Sequence, residues 1–277
     1  MYYYIYDQFL SQKKYDKILA QIESKITDLG IKDKIVKMSV LRSFTELVSE
    51  ALKKGAETII VVGNDQTVNQ IANLIAGQNT VLGIIPIEGP NYQHLKKKLV
   101  PSGQNSIANF LGIHDPLQAC EIISARKIEN INLGEVNNNY FIHSVKVYNH
   151  QLKIECDNKF SVTPLSEDNL VGIYNFSPEV DFYFKSKKFF NPQDSFLEVV
   201  IEPRDKKKLN KLLKSLTKDS KPNQSQSIFR IKKVNIKNLT TNEGIGVVDN
   251  FKVLKTPLDI KISDKKLKLI VGKDRKF

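Results

Sequence analysis

The stretch Thr58-Ile59-Ile60-Val61-Val62-Gly63-Asn64-Asp65-Gln66-Thr67-Val68-Asn69 combines a β-branched run, a break at Gly63 and a helical pattern that resumes after Thr67. It reads as a buried strand, a tight loop and a helix N-terminus. Such a junction aims unpaired backbone N–H groups and the positive end of a helix dipole at one point, which suits a phosphate. Gly, Asn and Asp are also the ordinary residues of a turn, so this junction alone does not separate a phosphate loop from a plain strand-to-helix connection. A second apolar run, Val81-Leu82-Gly83-Ile84-Ile85-Pro86, ends in another loop, Ile87-Glu88-Gly89-Pro90-Asn91-Tyr92.

Three motifs in order resemble the diacylglycerol kinase catalytic domain of bacterial lipid kinases and sphingosine kinases, related to NAD kinases. That family's loop reads Gly-Gly-Asp-Gly-Thr with an Asn two positions on. Here Gly63, Asp65, Thr67 and Asn69 match, while Asn64 and Gln66 replace glycines. Glycine permits positive φ and close backbone approach to phosphate. Asn64 is expected to be the milder replacement, because Asn tolerates the left-handed region, and Gln66 the harsher. The family's Pro-Leu-Gly-Thr-Gly-Asn-Asp run keeps Pro86 and Asn91 here. Pro90 removes a backbone donor from that run and Glu88 adds negative charge. At the third motif, Asp-Gly-Glu in the family, Asp249 is kept but Phe251 stands where a proton-accepting carboxylate is implied. A phenyl ring accepts no proton, and a general base typically contributes about 10²- to 10⁴-fold. The family's Asn-Pro-x-Ser-Gly loop after the first strand corresponds to Tyr6-Asp7-Gln8-Phe9-Leu10-Ser11, which lacks glycine. Weaker echoes at Phe110-Leu111-Gly112-Ile113, Ile131–Asn137 and Gln193–Val199 extend the resemblance over nearly the whole chain.

The resemblance implies ATP-dependent phosphoryl transfer to a lipid hydroxyl with Mg²⁺. It gives Asp65 and Asp249 the catalytic roles. Gly63, Asn64, Thr67, Asn69, Gly89 and Asn91 would hold the nucleotide. With every motif altered, three readings stay open: a lipid kinase, a catalytically impaired nucleotide- or lipid-binding relative, and a kinase for another small hydroxyl substrate.

The elements that must position these residues fall into two textures. Tyr2–Tyr6 reads as a strand, residues 13–29 as a helix with apolar positions Tyr15, Ile18, Leu19, Ile22, Ile26 and Leu29, and residues 34–40 as a second strand. Phe44, Leu47, Val48, Ala51 and Leu52 make a helical face closed by Gly55. This alternation implies parallel strands with ligands at their carboxyl ends, where Gly63 and Gly89 lie. Pro101 to Ser106 marks an exposed excursion. From about residue 128 short β-rich segments take over: 140–148, 152–156, 170–176, 196–201, 228–236 and 258–262. They argue for an antiparallel sandwich, interrupted by a helix at 206–216 and a polar loop at 218–227. The expected fold is therefore α/β plus all-β: a Rossmann-like parallel domain over 1–127 and a β-sandwich over 128–277. The site would lie in the cleft between them.

Composition narrows the setting. At 277 residues with 41% apolar content, two packed cores are the natural prior. No apolar run approaches the length of a membrane span, and the N-terminal stretch is too short and uncharged for a signal peptide, so a cytoplasmic protein is expected. Cys120 and Cys156 are too few for a disulfide framework, and the four histidines show no metal-ligand spacing. The net charge of +12 has two readings: lysines that solvate helix faces, or a basic surface in peripheral contact with an anionic membrane. No nucleic-acid-binding module is recognisable, and the oligomeric state is unread.

Overall fold

The computed structural model describes residues 1–39, 41–89, 105–148, 151–164, 169–176, 190–203, 227–241 and 243–277. The chain opens with β1 (Tyr2–Tyr6), in which Tyr3, Tyr4, Ile5 and Tyr6 are all buried. After two short 3₁₀ turns, α1 (Asp16–Asp28) buries Leu19, Ile22 and Ile26, the stripe its spacing predicts. β2 (Lys34–Lys37) stops before residue 40, because the chain turns back on itself through a bridge between Ser39 and Arg42. α2 (Phe44–Lys53) starts on a capping box, with Ser43 and Glu46 satisfying each other's backbone donors. Gly55 ends it at φ +74°, the left-handed geometry that a helix terminus favours in glycine.

β3 (Thr58–Gly63), α3 (Asp65–Ile75) and β4 (Val81–Pro86) follow, both strands buried along their whole length. β1 lies between β2 and β3, and β3 beside β4, all in parallel register. Two helices come next, α4 (Ser106–Phe110), within the stretch before Phe110 that reads as a helix turn and a loop, and α5 (Pro116–Ala125), which the sequence pattern does not announce. Asp115 caps α5 through the backbone N–H groups of Leu117 and Gln118, with proline at the first helical position.

The remainder is β: β5 (Ile128–Val136), β6 (Asn139–Phe141), β7 (Ser144–Tyr148), β8 (Leu152–Cys156), β9 (Phe160–Val162), β10 (Asn169–Tyr174), β11 (Leu197–Pro203), β12 (Ser227–Ile231), β13 (Lys233–Asn238), β14 (Ile245–Val248), β15 (Lys252–Lys255) and β16 (Leu258–Ile270). The segment read as one strand over 140–148 is two, broken at Ile142 and His143, and that over 228–236 breaks at Lys232. The helix expected at 206–216 and the loop after it lie outside the described residues, apart from Ser227, which opens β12.

The two textures are not separate sheets. A ten-stranded sheet runs β2-β1-β3-β4-β16-β13-β8-β9, with β5 and β6 paired off β16. β16 is the continuous member: Lys268 and Leu269 pair in parallel with β4, and Leu258 to Lys261 pair antiparallel with β13. The six-stranded antiparallel sheet β12-β11-β10-β7-β14-β15 stacks on the far half of the first. Each half has its own core. One gathers the apolar faces of α1, α2, α3 and α5 on the parallel strands, and the other joins Val145, Ile173 and Val199 to Ile154, Val234 and Ile260 across the sandwich. Among the described residues no helix is long and apolar enough to cross a membrane.

Candidate functional site

α3 begins at Asp65, three residues earlier than its hydrophobic pattern predicts, because Asn64 is its N-cap. The Asn64 Oδ1 accepts from the backbone N–H of Gln66 at 3.1 Å and of Thr67 at 3.3 Å. Those two donors are the ones a helix N-terminus would present to a phosphate. The Thr67 hydroxyl donates to the Asp7 carboxylate, whose other oxygen accepts from Phe9 N–H at 3.2 Å. Gly63 closes the corner, since a Cβ there would come 2.8 Å from Thr67 Oγ1. Gln66 points its exposed side chain outward from the first helical turn with φ in the ordinary negative range. Of the two residues that replace glycines, Asn64 is thus the one whose side chain occupies two of the donors, while the Gln66 side chain holds none of them.

The neighbouring loops press on the same corner. A Cβ on Gly89 would lie 2.4 Å from Asn64 Nδ2, so glycine is what lets the β4 loop close over this amide. Tyr15 Oη donates to the Glu88 carbonyl at 3.0 Å, and Phe9 packs edge-on against Tyr15. The turn after β1 is thus a capped 3₁₀ turn with Phe9 and Leu10 buried, and makes no second phosphate loop. Asn91, expected at this site, lies outside the described residues.

Asp65 turns away from the helix mouth. Its carboxylate accepts from Ser106 N–H at 2.9 Å, Ile107 N–H at 3.1 Å and the Ser106 hydroxyl, and so caps α4. Burial pushes its pKa up to about 7 against the pull of these donors, and the Asp249 charge adds to the push. Asp249 sits in the turn after β14, where it and Asn250 both have positive φ, 44° and 63°. Aspartate and asparagine are among the few side chains that accept that conformation readily. With 2% of its surface exposed, its carboxylate accepts from Ile142 N–H at 2.8 Å, His143 N–H at 2.8 Å and Ser144 N–H at 2.9 Å. Asn69 Nδ2 completes the set. Burial raises the Asp249 pKa against those four donors.

The fold therefore brings Asn69 and Asp249 into contact across 180 positions, and Asp249 stands within electrostatic reach of Asp65. One turn further along α3, Asn73 bonds both backbone groups of Tyr140 at 2.9 Å, a clasp to which the sequence reading gave no role.

The sequence profile of the family described as "Diacylglycerol kinase catalytic domain" matches residues 2–136. Over those residues the chain is similar to the diacylglycerol kinase catalytic domain. A diacylglycerol kinase of Bacillus subtilis (strain 168) is 27% identical over 143 residues, which take in 50% of this chain and 43% of that protein. Solved structures extend the likeness to the whole fold. A diacylglycerol kinase from Bacillus anthracis str. Sterne superposes with a TM-score of 0.71 at 16% identity, covering 98% of this chain and 97% of that one. An NAD kinase from Archaeoglobus fulgidus in complex with ATP gives 0.54 at 12% identity, over 99% and 95%. At these identities the likeness is one of fold.

Among the described residues, those at the nucleotide end leave few open partners for a triphosphate with Mg²⁺. Phosphate needs free donors, and Asn64 holds two of those of the first turn, Gln66 N–H and Thr67 N–H. Nucleotide-bound Mg²⁺ usually takes one or two protein carboxylates, and Asp65 and Asp249 give theirs to protein donors. Among the described residues no group of three or more His, Cys, Asp and Glu is placed to hold a metal ion. Two residues that the sequence reading passed over belong to the site: Asp7, through Thr67, and His143, whose Nδ1 lies 3.1 Å from Ser144 Oγ beside Asp249. The first was legible as the residue closing β1 toward the cleft. The second had no local signal, because its place depends on the turn after β14.

Proposed function

We propose that this chain is a lipid-kinase-family protein in which the inherited reaction, ATP-dependent phosphoryl transfer to a lipid hydroxyl, is strongly impaired, leaving a ligand-binding protein on a kinase scaffold. The observation that carries this reading is the engagement of Asp249. The one carboxylate kept at the third motif is buried under four donors, and the neighbouring position that would supply a proton acceptor is Phe251. Asp65 and Asp249 then act as pins that hold α4 and the β6–β7 turn in place, without meeting the reacting atoms. Gly63, Thr67, Asn69 and Gly89 shape the corner, and Asn69 ties it to the sandwich. In this reading the division at residues 127 and 128 separates the nucleotide-binding half from the half that receives the acceptor.

The test is transfer of radiolabel from γ-labelled ATP with Mg²⁺ to mixed lipid vesicles containing diacylglycerol. Loss of general base catalysis alone predicts turnover lower by about 10²- to 10⁴-fold than in a working kinase. A wild-type turnover in the ordinary kinase range, roughly 1 to 100 per second, would refute the proposal.

A further inference from the structure

We infer that Asn64, with Asp7, closes the phosphate subsite of this cleft from the inside, so that a polyphosphate is admitted only when Asn64 surrenders its cap. The inference rests on the family reading of the cleft and deepens it by naming what the corner excludes. Three contacts carry it. Asn64 Oδ1 takes two N–H groups of the first turn, those of Gln66 and Thr67. Its Nδ2 lies so close to Gly89 that even a methyl group on that glycine would collide with it. The Asp7 carboxylate faces the same turn through the Thr67 hydroxyl, adding negative charge where a phosphate would bring more. Asn64 itself is 8% exposed, so the plug belongs to the packed corner.

Glycine at an N-cap costs only a few tenths of a kcal/mol relative to Asn, so Asn64→Gly should fold while freeing both donors. Calorimetric titration of ATP, and of adenosine as the phosphate-free control, into the full-length protein reads the effect. The variant should bind ATP at least tenfold more tightly than wild type, with adenosine affinity unchanged. Asp7→Asn keeps the Asn64 cap but removes the charge, and should bring a smaller gain of about two- to fivefold. Gln66→Gly should bring none, since its exposed side chain holds neither of those donors. Equal ATP affinity in wild type and Asn64→Gly would overturn the inference, as would no measurable ATP binding by either variant or an equal gain for adenosine. Should Asn64→Gly fail to fold, Asp7→Asn decides alone. Nothing is transferred in this titration, so its failure leaves the claim about the missing proton acceptor at Phe251 standing, and the reverse also holds.

Discussion

At the scale of single residues, Asn64 sets the character of the α3 mouth, because its side chain reaches the backbone N–H groups of Gln66 and Thr67. Judged by backbone tolerance, Asn is the gentler substitute for glycine. In the fold the backbone there needs no special φ, and what matters is that an Asn side chain reaches two donors while a Gln in the first turn points to solvent. The pattern of residues shows which position differs, but not where its side chain goes. Glu198 gives this scale its pH test. Buried to 4% exposure on β11, it has one carboxylate oxygen without a partner and Arg230 only at 3.6 Å from the other. Burial, then the Asp194 charge, push its pKa up to about 8 against the pull of Arg230. The folded chain therefore keeps this proton to higher pH than the unfolded chain does. The stability it contributes is full below about pH 4.5 and is lost as pH rises toward 8. Glu198→Gln, which cannot ionise, should match wild type near pH 5 and exceed it by roughly 3 kcal/mol at pH 8.5. Urea denaturation at the two pH values checks this, and a difference that does not change with pH would contradict it.

At the scale of elements, the turn after β14 joins the two halves more firmly than its length suggests. Asp249 satisfies three successive backbone N–H groups of the β6–β7 connection, and Asn69 and Asn73 stitch the same region to α3. Removing the carboxylate leaves buried donors without acceptors, each costing about 1 to 3 kcal/mol. Asp249→Ala should thus lower stability by at least 3 kcal/mol in urea denaturation, and Asp249→Asn, which keeps one acceptor, by less. A loss under 1 kcal/mol for alanine would show that these bonds carry no weight. The periodic elements were legible: α1, α2, β1 and β3 follow their apolar spacing closely. α5 was missed although Asp115-Pro116 is a start signal, because its apolar residues are spread around the helix. The far half of β16 was missed because Asp264-Lys265-Lys266 interrupts the apolar alternation, and the register with β5 shifts there, between Ile262 and Lys266.

At the scale of the whole molecule, β16 makes one sheet of what the change in hydrophobic texture suggests are two. Texture reports which faces are buried, and it cannot report that a late strand returns to pair with β4. The charge is also distributed by the fold. Several lysines on the β8, β13 and β16 face are matched to carboxylates: Lys153 and Lys237 to Glu155, Lys233 to Asp259, and Lys261 to Glu135. Exposed pairs of this kind contribute little to stability. Peripheral contact with anionic lipid is one of the two readings of the net +12, and salt separates it from lysines that only solvate the surface. The protein should sediment with phosphatidylserine vesicles at low salt and separate from them at about 0.5 M salt, where the Debye length falls well below 10 Å. Sedimentation unaffected by salt would contradict an electrostatic contact.

On the proposed function, this fold keeps the positioning of a kinase, while Asn64 takes up phosphate donors and Phe251 replaces the proton acceptor. The rate of label transfer from ATP to diacylglycerol vesicles by the double variant Asn64→Gly, Phe251→Glu, set against wild type, tests it most directly. Restored donors and a restored carboxylate predict a rate at least about 10²-fold above wild type. A double variant no faster than wild type would contradict the account.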